Sequence, residues 1–297
     1  MIEVIATGAQ VTVQDLGRVG FAAWGVGPGG AADRGSLRLA NRLVGNVEGA
    51  AAFEILLGGG EFRFASAALV AVTGANPPVL IDGVVGRSDG PQWVPPGSVV
   101  QLLAPAQRLR CYLAVRGGLA TAPILGSRSV DERSGLGRVL RAGDVVPIGD
   151  ETAGPPTVGL APQAGWPSGA VRLQAVTGPR DDWFTETSMR RLASEEYTVD
   201  AASDRVGLRL SGASMQRRVD AELLSEPTVR GAVEVPPNGQ PIVFGADHPT
   251  TCGYPVVAVL ESASADLAAQ CRPGQAVTFS LSRPQIRLAT TRQGCSQ

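Results

Sequence analysis

The sequence predicts a mainly β fold with a few short helices, built from two β units. Glycine makes up 38 of the 297 residues, against a usual share of about 7%, and so much glycine favours tight turns between short strands. A turn glycine followed by apolar residues two apart recurs in three stretches: 96–102, 142–148 and 273–279. Such a repeated turn and strand indicates related β units.

A proline-rich stretch separates the two units. Residues 151–168 contain four prolines and three glycines with almost no hydrophobic periodicity. Because proline cannot donate to a strand ladder, this stretch is the best linker in the chain. We therefore expect domains at 1–155 and 168–297, joined by a linker at 156–167.

The first unit is predicted to be almost all strand. Residues 2–13 form two short strands broken by a turn at 7–9, and further β-type runs occupy 53–57, 61–64, 69–72 and 111–115. One amphipathic helix lies between them. Asp33 caps it, the apolar positions Leu37, Ala40, Leu43 and Val44 recur at helical spacing, and Gly45 ends it. Asn41 and Arg42 are expected on its polar edge.

The second unit is predicted to alternate strands with two short helices. Strands are expected at 171–176 and 197–199, and the stretch 203–212 is expected to be a turn that leads into an alternating strand with Leu208 and Leu210 facing one way. Asp181 and Asp182 look like a helix start, and a second short helix is expected at 264–270. Two β units whose helices are few and short indicate barrels closed around their own cores.

The stretch 231–255 combines a hairpin with an unusually polar loop. Two apolar runs flank Asn238-Gly239, a pair that tolerates the positive φ of a tight hairpin turn. The loop that follows carries an acid, an imidazole, two hydroxyls, a thiol and a phenol. It also holds the only histidine of the chain, His248, so any imidazole chemistry must use this loop.

Composition excludes several classes of function. The net charge is −1 with no basic block, so neither nucleic acid nor an anionic membrane is an expected partner. The sequence contains no lysine, which excludes a Schiff base, a P-loop lysine and biotin attached to this chain. The four cysteines are far apart, and with a single histidine no metal site is expected. No signal peptide or membrane span is evident, so we expect a soluble cytoplasmic protein.

Two acid–arginine pairs on turns are candidate site residues. Asp15 and Arg18 lie three apart in a glycine-rich turn, and Asp204 and Arg205 are adjacent before a strand. Each pair fits a structural clamp, and each also fits a site in which the arginine binds an anion. Asp204 is the candidate base, held or masked by Arg205.

The polar loop supplies the remaining candidates. Thr250 and Thr251 are hydroxyls that either cap a strand end or contact a ligand, and Tyr254 is either a core residue or a site residue. His248 is either an exposed loop histidine or part of the site. The Gln240 amide is available to orient a substrate.

With these residues in view, the chain resembles the family of 5-oxoprolinase C subunits, also called KipA-like or allophanate hydrolase subunit 2. The resemblance covers nearly the whole chain and rests on five motifs: TVQDLGR at 12–18, LANRLVGN at 39–46, LGSRS at 125–129, SDR at 203–205, and VPPNGQPI at 235–242 with TT at 250–251 and GYP at 253–255. It implies two tandem cyclophilin-like β-barrel domains. It also implies two partners, the KipI-like B subunit and the A subunit of 5-oxoprolinase, and relatedness to the biotin-dependent carboxyltransferase part of urea carboxylase.

The chain departs from the family pattern in the polar loop. Where the family usually has Asp-Arg-Gln-Thr-Thr-Gly-Gly-Tyr-Pro, this chain has His248 for the arginine, Pro249 for the glutamine and Cys252 for a glycine. The glycine loop likewise has Gly29 where a serine often occurs. At position 248 a titratable imidazole thus replaces a permanent cation, so a carboxylate would be bound more weakly there.

The resemblance implies that the chain is one subunit of an ATP-dependent 5-oxoprolinase, which opens a lactam to glutamate. Without a P-loop or a lysine, ATP is expected to be bound by or shared with the partner subunits. The catalytic candidates are Asp204, Arg205, Thr250 and Thr251, and the substrate-binding candidates are Asp15, Arg18, Gln240, His248 and Tyr254. Two alternatives stay open: a urea carboxylase-like or allophanate hydrolase-like subunit, and a non-catalytic module that binds a KipI-like kinase inhibitor.

Overall fold

Strands dominate the structure, which confirms the predicted fold class. The computed structural model describes residues 1–88, 90–162 and 165–283. Three short α-helices occur in this part of the chain, and none of its helices has the length and apolar character needed to cross a bilayer.

The first unit packs one core between two sheets. Its elements are β1 (Ile2–Thr7), β2 (Gln10–Gln14), α1 (Arg34–Val44), β3 (Ala52–Leu56), β4 (Gly60–Phe64), β5 (Ala68–Gly74), β6 (Val79–Ile81), β7 (Val84–Val85), β8 (Gln92–Val94), β9 (Val99–Leu102), β10 (Arg110–Val115) and β11 (Val145–Val146). The sheets have the strand orders β11-β1-β4-β9-β6-β7 and β2-β3-β10-β5-β8. Phe53 and Phe62 stack between them with ring centroids 4.6 Å apart.

The second unit is a closed seven-stranded barrel. Its elements are β12 (Val171–Thr177), α2 (Glu186–Ser194), β13 (Tyr197–Val199), β14 (Gly207–Ser211), β15 (Glu226–Pro227), β16 (Ala232–Glu234), β17 (Ile242–Phe244), β18 (Thr251–Cys252), β19 (Val256–Leu260), α3 (Ser262–Ala268) and β20 (Ala276–Ser282). The barrel order is β12-β19-β16-β17-β14-β13-β20, and β12 and β20 pair in parallel to close it. The short pair β15–β18 forms a separate ribbon.

Locally encoded elements were predicted correctly. Asp33 caps α1 by accepting a hydrogen bond from the Ser36 amide at 2.8 Å, and Gly45 ends the helix with a φ of 71°. The hairpin forms from β16 and β17, with Gly239 at a φ of 75° in its turn. Leu208 and Leu210 both face the barrel core. In each case the signal lies within a few residues of the element it specifies.

Three predictions were wrong in detail. Asn41 is fully buried rather than on a polar edge, because its amide donates to the backbone carbonyl oxygens of Glu48 and Ala50 at the exit of α1. The aspartates at 181 and 182 lie in a 3-10 turn, and α2 begins after Thr185, whose side chain accepts a hydrogen bond from the Ser188 amide. The reason is Phe184, which enters the barrel core in an extended conformation. The helix expected at 264–270 begins two residues earlier, at Ser262.

The two hydrophobic cores lie on either side of the proposed linker. The first core extends from Ile2 to Val146 and the second from Val171 to Phe279. The exact domain limits stay a prediction, and residues 163, 164 and 284–297 of that division are outside the described residues.

Candidate functional site

Two adjoining clefts lie where loops of the first unit face the outside of the barrel. The histidine cleft has a volume of about 300 Å³ and is lined by Gly25, Gly27, Arg133, Ser134, Val206, Gly207, Arg209, Glu234, Ile242, Phe244, Asp247, His248, Pro249 and Thr250. The aspartate cleft has about 280 Å³ and is lined by Gln10, Leu56, Leu57, Leu109, Arg110, Glu132, Arg133, Ser203, Asp204, Arg205, Val206, Asp247 and Pro273. Arg133, Val206 and Asp247 belong to both, so the clefts share one wall. Their size suits a small-molecule ligand.

The outer face of three barrel strands forms the floor of the histidine cleft. In the antiparallel registers, Glu234 of β16 is opposite Ile242 of β17, and Ile242 is opposite Arg209 of β14. Residues directly opposite one another point to the same face of a sheet. An acid, an apolar side chain and a base therefore form one row across the floor.

Arg205 joins the two units from beneath the clefts. Its Nε and Nη2 donate to the two carboxylate oxygens of Asp247 at 2.7 and 3.0 Å. Its Nη1 donates to Glu54 on β3 of the first unit, and Nη2 also donates to the Gly30 carbonyl oxygen at 2.7 Å. A guanidinium held on all its edges acts as a rigid strut, and it fixes Asp247 in the wall between the clefts.

Glu54 is itself fully hydrogen bonded. Its Oε2 accepts from the Tyr112 hydroxyl at 2.7 Å and from the Ala32 amide at 2.9 Å, and Arg110 lies 3.5 Å from its Oε1. Burial raises the pKa of Glu54, but Arg205 and Arg110 together hold that pKa below its usual range. Burial raises the pKa of Asp247, an effect that Arg205 opposes.

Asp204 lines the aspartate cleft and also stabilises a turn. Its Oδ1 accepts from the backbone amides of Val206 and Gly207 at 2.8 and 3.0 Å, and the side chain is exposed. This Asx turn leads the chain into β14. Asp204 and Arg205 are thus neighbours that point to different partners, and no ion pair forms between them among the described residues.

His248 is buried rather than exposed. It is 5% exposed, its ring stacks against Phe244 at 6.0 Å, and its Nδ1 lies 2.8 Å from the Pro249 carbonyl oxygen. A nitrogen beside a carbonyl carries the proton, which assigns Nε2 as the acceptor. Burial lowers the pKa of His248, and the positive charges of Arg34 and Arg230 lower it further.

The hydroxyl candidates of the polar loop are not gathered in one place. Thr250 lines the histidine cleft, and Thr251 lies in β18 opposite Pro227 with an exposed side chain. Tyr254 is 41% exposed and lies outside both clefts. Gln240 bonds the backbone of Gly212 through both its oxygen and its nitrogen, and it also lies outside the clefts. The substrate-contact roles of these residues stay predictions.

Asp15 and Arg18 occupy a buried loop of the first unit. The Asp15 carboxylate accepts from the Gly17 amide, the Arg128 amide and the hydroxyls of Ser127 and Ser129. Arg18 Nη2 donates to the Ser129 carbonyl oxygen, and its buried Nη1 has no hydrogen-bond partner in the described part of the chain. The expected clamp between Asp15 and Arg18 is replaced by two separate attachments to the 124–129 loop.

The site contains residues that the sequence did not single out. Glu234 and Arg209 form the ends of the floor row, Arg133 also lines the cleft, and Asp247 and Glu54 anchor Arg205. One signal was available for Glu234, which interrupts the apolar run Val233–Val235. Glu54 and Asp247 were identified by their bonds to Arg205, and Arg133 and Arg209 by the cleft that they line; one-dimensional patterns reveal neither.

Neither a metal nor a helix-bound phosphate is favoured by these residues. Among residues 1–88, 90–162 and 165–283, no group of three or more His, Cys, Asp and Glu is placed to hold a metal ion. The first amides of α1 are already taken, since Ser36 bonds Asp33, and Arg34 and Gly35 bond the Asp266 carboxylate from α3. A phosphate therefore finds no open amides at this helix start.

The chain is similar in sequence and in fold to known proteins. The family model described as "Carboxyltransferase domain, subdomain A and B" matches residues 24–281. The C subunit of 5-oxoprolinase from Escherichia coli (strain K12) is 36% identical over 94% of this chain and 90% of that protein. The crystal structure of TTHA0988 is 36% identical over 94% of this chain with a TM-score of 0.85, and this chain spans 55% of that one. The K. lactis urea amidolyase is 27% identical over 95% of this chain but only 19% of its own length, with a TM-score of 0.88.

Proposed function

Because this chain belongs to the family of carboxyltransferase domains with subdomains A and B, we propose that it is the C subunit of an ATP-dependent 5-oxoprolinase. In this role the complex hydrolyses 5-oxo-L-proline to L-glutamate. The observation that carries the proposal is the 36% identity to the E. coli protein over 90% of that protein. The K. lactis urea amidolyase has the same fold at lower identity, and this chain covers 19% of it.

The clefts offer positioning rather than covalent chemistry. A lactam carbonyl is a poor electrophile, and ATP supplies the phosphoryl group that activates its oxygen before water attacks the carbon. The strut Arg205 holds Asp247 at the wall between the clefts, and Thr250 and His248 line the same space. Fixed donors and acceptors of this kind orient a substrate and stabilise developing charge.

ATP and the partner subunits belong to the proposal as well. We assign ATP binding to the partners or to an interface with them, since this chain has no lysine and the start of α1 is capped by its own carboxylates. The expected partners are the KipI-like B subunit and the A subunit. An exposed apolar loop beside the glycines of the histidine cleft, with Val19 87% and Trp24 76% exposed, favours a protein partner there. Use of ATP is consistent with a cytoplasmic location.

Reconstitution tests the proposal. The chain is purified alone and with the A and B subunits, and glutamate release from 5-oxoproline is followed with ATP. Turnover only in the mixture supports a role in 5-oxoprolinase. Turnover with urea and a carboxylated biotin carrier would instead assign the urea carboxylase type of reaction, which the urea amidolyase fold match favours. Tight partner binding without either reaction would assign a KipA-like binding module.

Two variants locate the chemistry within the mixture. Asp204→Asn keeps the oxygen that accepts from Val206 and Gly207 but removes the charge, and Thr250→Val keeps the shape but removes the hydroxyl. We expect both to abolish turnover and to leave complex formation intact. Asp200→Asn is the matched control, because Asp200 makes the same kind of turn bond, to the Ala202 amide at 2.8 Å, outside the clefts. Unchanged rates in both variants would move the reaction away from this face.

A further inference from the structure

The floor of the histidine cleft has an unusual distribution of unmatched groups. Glu234 and Arg209 are separated by Ile242 in the same row, and two strand spacings of about 4.8 Å place their backbones about 10 Å apart. Burial raises the pKa of Glu234, and the charge of Arg209 opposes that rise, yet the two side chains form no ion pair among the described residues. A gap therefore remains between an acid and a base.

The two arginines of this cleft are not occupied by the protein. Within residues 1–88, 90–162 and 165–283, the guanidinium groups of Arg133 and Arg209 make no hydrogen bond or ion pair. Two largely buried arginines near the junction of the units are held by carboxylates, Arg205 by Glu54 and Asp247 and Arg230 by Asp266, whereas Arg133 and Arg209 are exposed. Arg133 comes from a loop of the first unit and Arg209 from the barrel, so the two units each contribute one positive charge to the cleft.

Glu234 presents one half of its carboxyl group. It is 5% exposed, and its Oε2 accepts a hydrogen bond from the Cys252 thiol at 2.6 Å. Its Oε1 has no partner in the described part of the chain, and it is not among the buried atoms sealed from solvent there. It can therefore accept an N–H from a ligand, in a nearly buried setting where such a bond discriminates strongly.

The space between these groups is apolar. Ile242 separates Glu234 from Arg209, and Phe244, two residues along β17, faces the same side. Gly207 is opposite Phe244 in the register, so no side chain fills the floor beside the ring. The cleft of about 300 Å³ beside Ile242 has room for a small ring.

We propose that the histidine cleft binds a small cyclic amide that carries a carboxylate, with Arg209 and Arg133 taking the carboxylate and Glu234 accepting the ring N–H. The choice of a lactam rests on the proposed function, and the site deepens that function by assigning substrate recognition to this chain. Glu234 and Arg209 are its specificity-determining residues.

The test is direct binding to the purified full-length chain, measured by calorimetry at pH 7.5 with three matched probes. 5-Oxo-L-proline has both recognised groups, 2-pyrrolidinone lacks the carboxylate, and 5-oxotetrahydrofuran-2-carboxylate replaces the ring N–H by oxygen. We expect 5-oxoproline to bind at least about tenfold more tightly than either analogue, the discrimination that a charge-assisted or buried hydrogen bond provides.

Variants connect each preference to its residue. Arg209→Gln is expected to weaken 5-oxoproline binding about tenfold and to leave 2-pyrrolidinone binding unchanged. Glu234→Gln is expected to remove the preference for lactam over lactone, because an amide rotates to offer either a donor or an acceptor. Arg141→Gln is the control, since Arg141 is an exposed arginine outside both clefts, and it is expected to change nothing.

The outcomes separate this inference from the proposed function. Equal binding of the three probes, no binding of 5-oxoproline at millimolar concentration, or an affinity unchanged by Arg209→Gln would each overturn the inference, whatever the reconstituted mixture does. The expected pattern of binding without turnover in the mixture would keep the site and reject 5-oxoprolinase activity.

Discussion

The junction beneath the clefts and the floor of the histidine cleft are both rich in charge, but they differ in how that charge is matched. At the junction, Arg205 bonds Glu54, Asp247 and the Gly30 carbonyl oxygen, and Glu54 in turn bonds Tyr112. On the floor, the guanidinium groups of Arg133 and Arg209 make no such bonds among the described residues. Matched charges join the two units, whereas unmatched charges remain available to a ligand. The presence of charged side chains therefore does not identify a ligand site. Whether those side chains are already paired within the protein is the more informative property.

The largest effect that would test this contrast is on stability. Arg205→Ala leaves the Asp247 carboxylate without its ion-pair partner and removes one of the two arginines beside Glu54, and breaking a buried ion pair in this way costs about 3–5 kcal/mol. Arg209→Ala removes a guanidinium that bonds nothing in the described structure, and we expect a change within about 0.5 kcal/mol. Urea unfolding of both variants measures the difference. Similar losses for the two variants would contradict the division into matched and unmatched charges.

The fold also shows which features can be predicted from the sequence. The cap at Asp33, the end of α1 at Gly45 and the hairpin turn at Gly239 were predicted because each signal is local. The bond between Arg205 and Glu54 joins residues 151 apart in sequence, and no periodicity or spacing connects them. Sequence analysis named Arg205 as a candidate site residue, but its partners became apparent only in the folded chain.

The polar loop shows a second limit. Its unusual composition drew attention to His248, Thr250, Thr251 and Tyr254, yet only His248 and Thr250 line the histidine cleft. Thr251 lies in β18, paired with Pro227, and is not among the residues that line the cleft. A list of polar residues does not say which way each side chain points, because here that depends on the pairing of β18 with β15.

An intermediate effect is expected from Glu234→Gln, whose difference in stability from the parent protein depends on pH. Burial raises the pKa of Glu234 above its ordinary value of 4.5, so the folded state favours the protonated form, and the stability it contributes is lost as the pH rises through the folded pKa. Glu234→Gln keeps the neutral form at every pH. We expect its melting temperature to equal that of the parent at pH 4 and to exceed it by about 2 °C at pH 8.

A carboxylate with the opposite shift provides the control for that measurement. The hydrogen bond from Arg180 lowers the pKa of Glu226, so Glu226 contributes stability above its ordinary pKa, and Glu226→Gln is expected to lower the melting temperature at pH 8. If both substitutions changed stability in the same direction, burial would not be the cause at Glu234.

The smallest effect is the charge of His248, which decides whether it replaces the arginine usual in the family. Burial and the nearby charges of Arg34 and Arg230 lower its pKa from 6.5, while the Pro249 carbonyl oxygen favours the proton on Nδ1. Thr228 and Phe244, the other groups around the ring, carry no charge. We therefore expect a neutral imidazole at pH 7, so that the carboxylate of a ligand must be held by Arg133 and Arg209 rather than by the loop.

A titration by NMR measures this charge without ambiguity, because the chain has one histidine and ¹³C-labelled histidine gives one ring signal. The midpoint is expected below 6.5 in the folded protein and close to 6.5 in urea. Adding 5-oxoproline is expected to leave the signal neutral at pH 7.5, since the carboxylate binds elsewhere in the cleft. A folded midpoint above the assay pH of 7.5 would place a cation in the loop, and recognition of the carboxylate would then move from the cleft floor to His248.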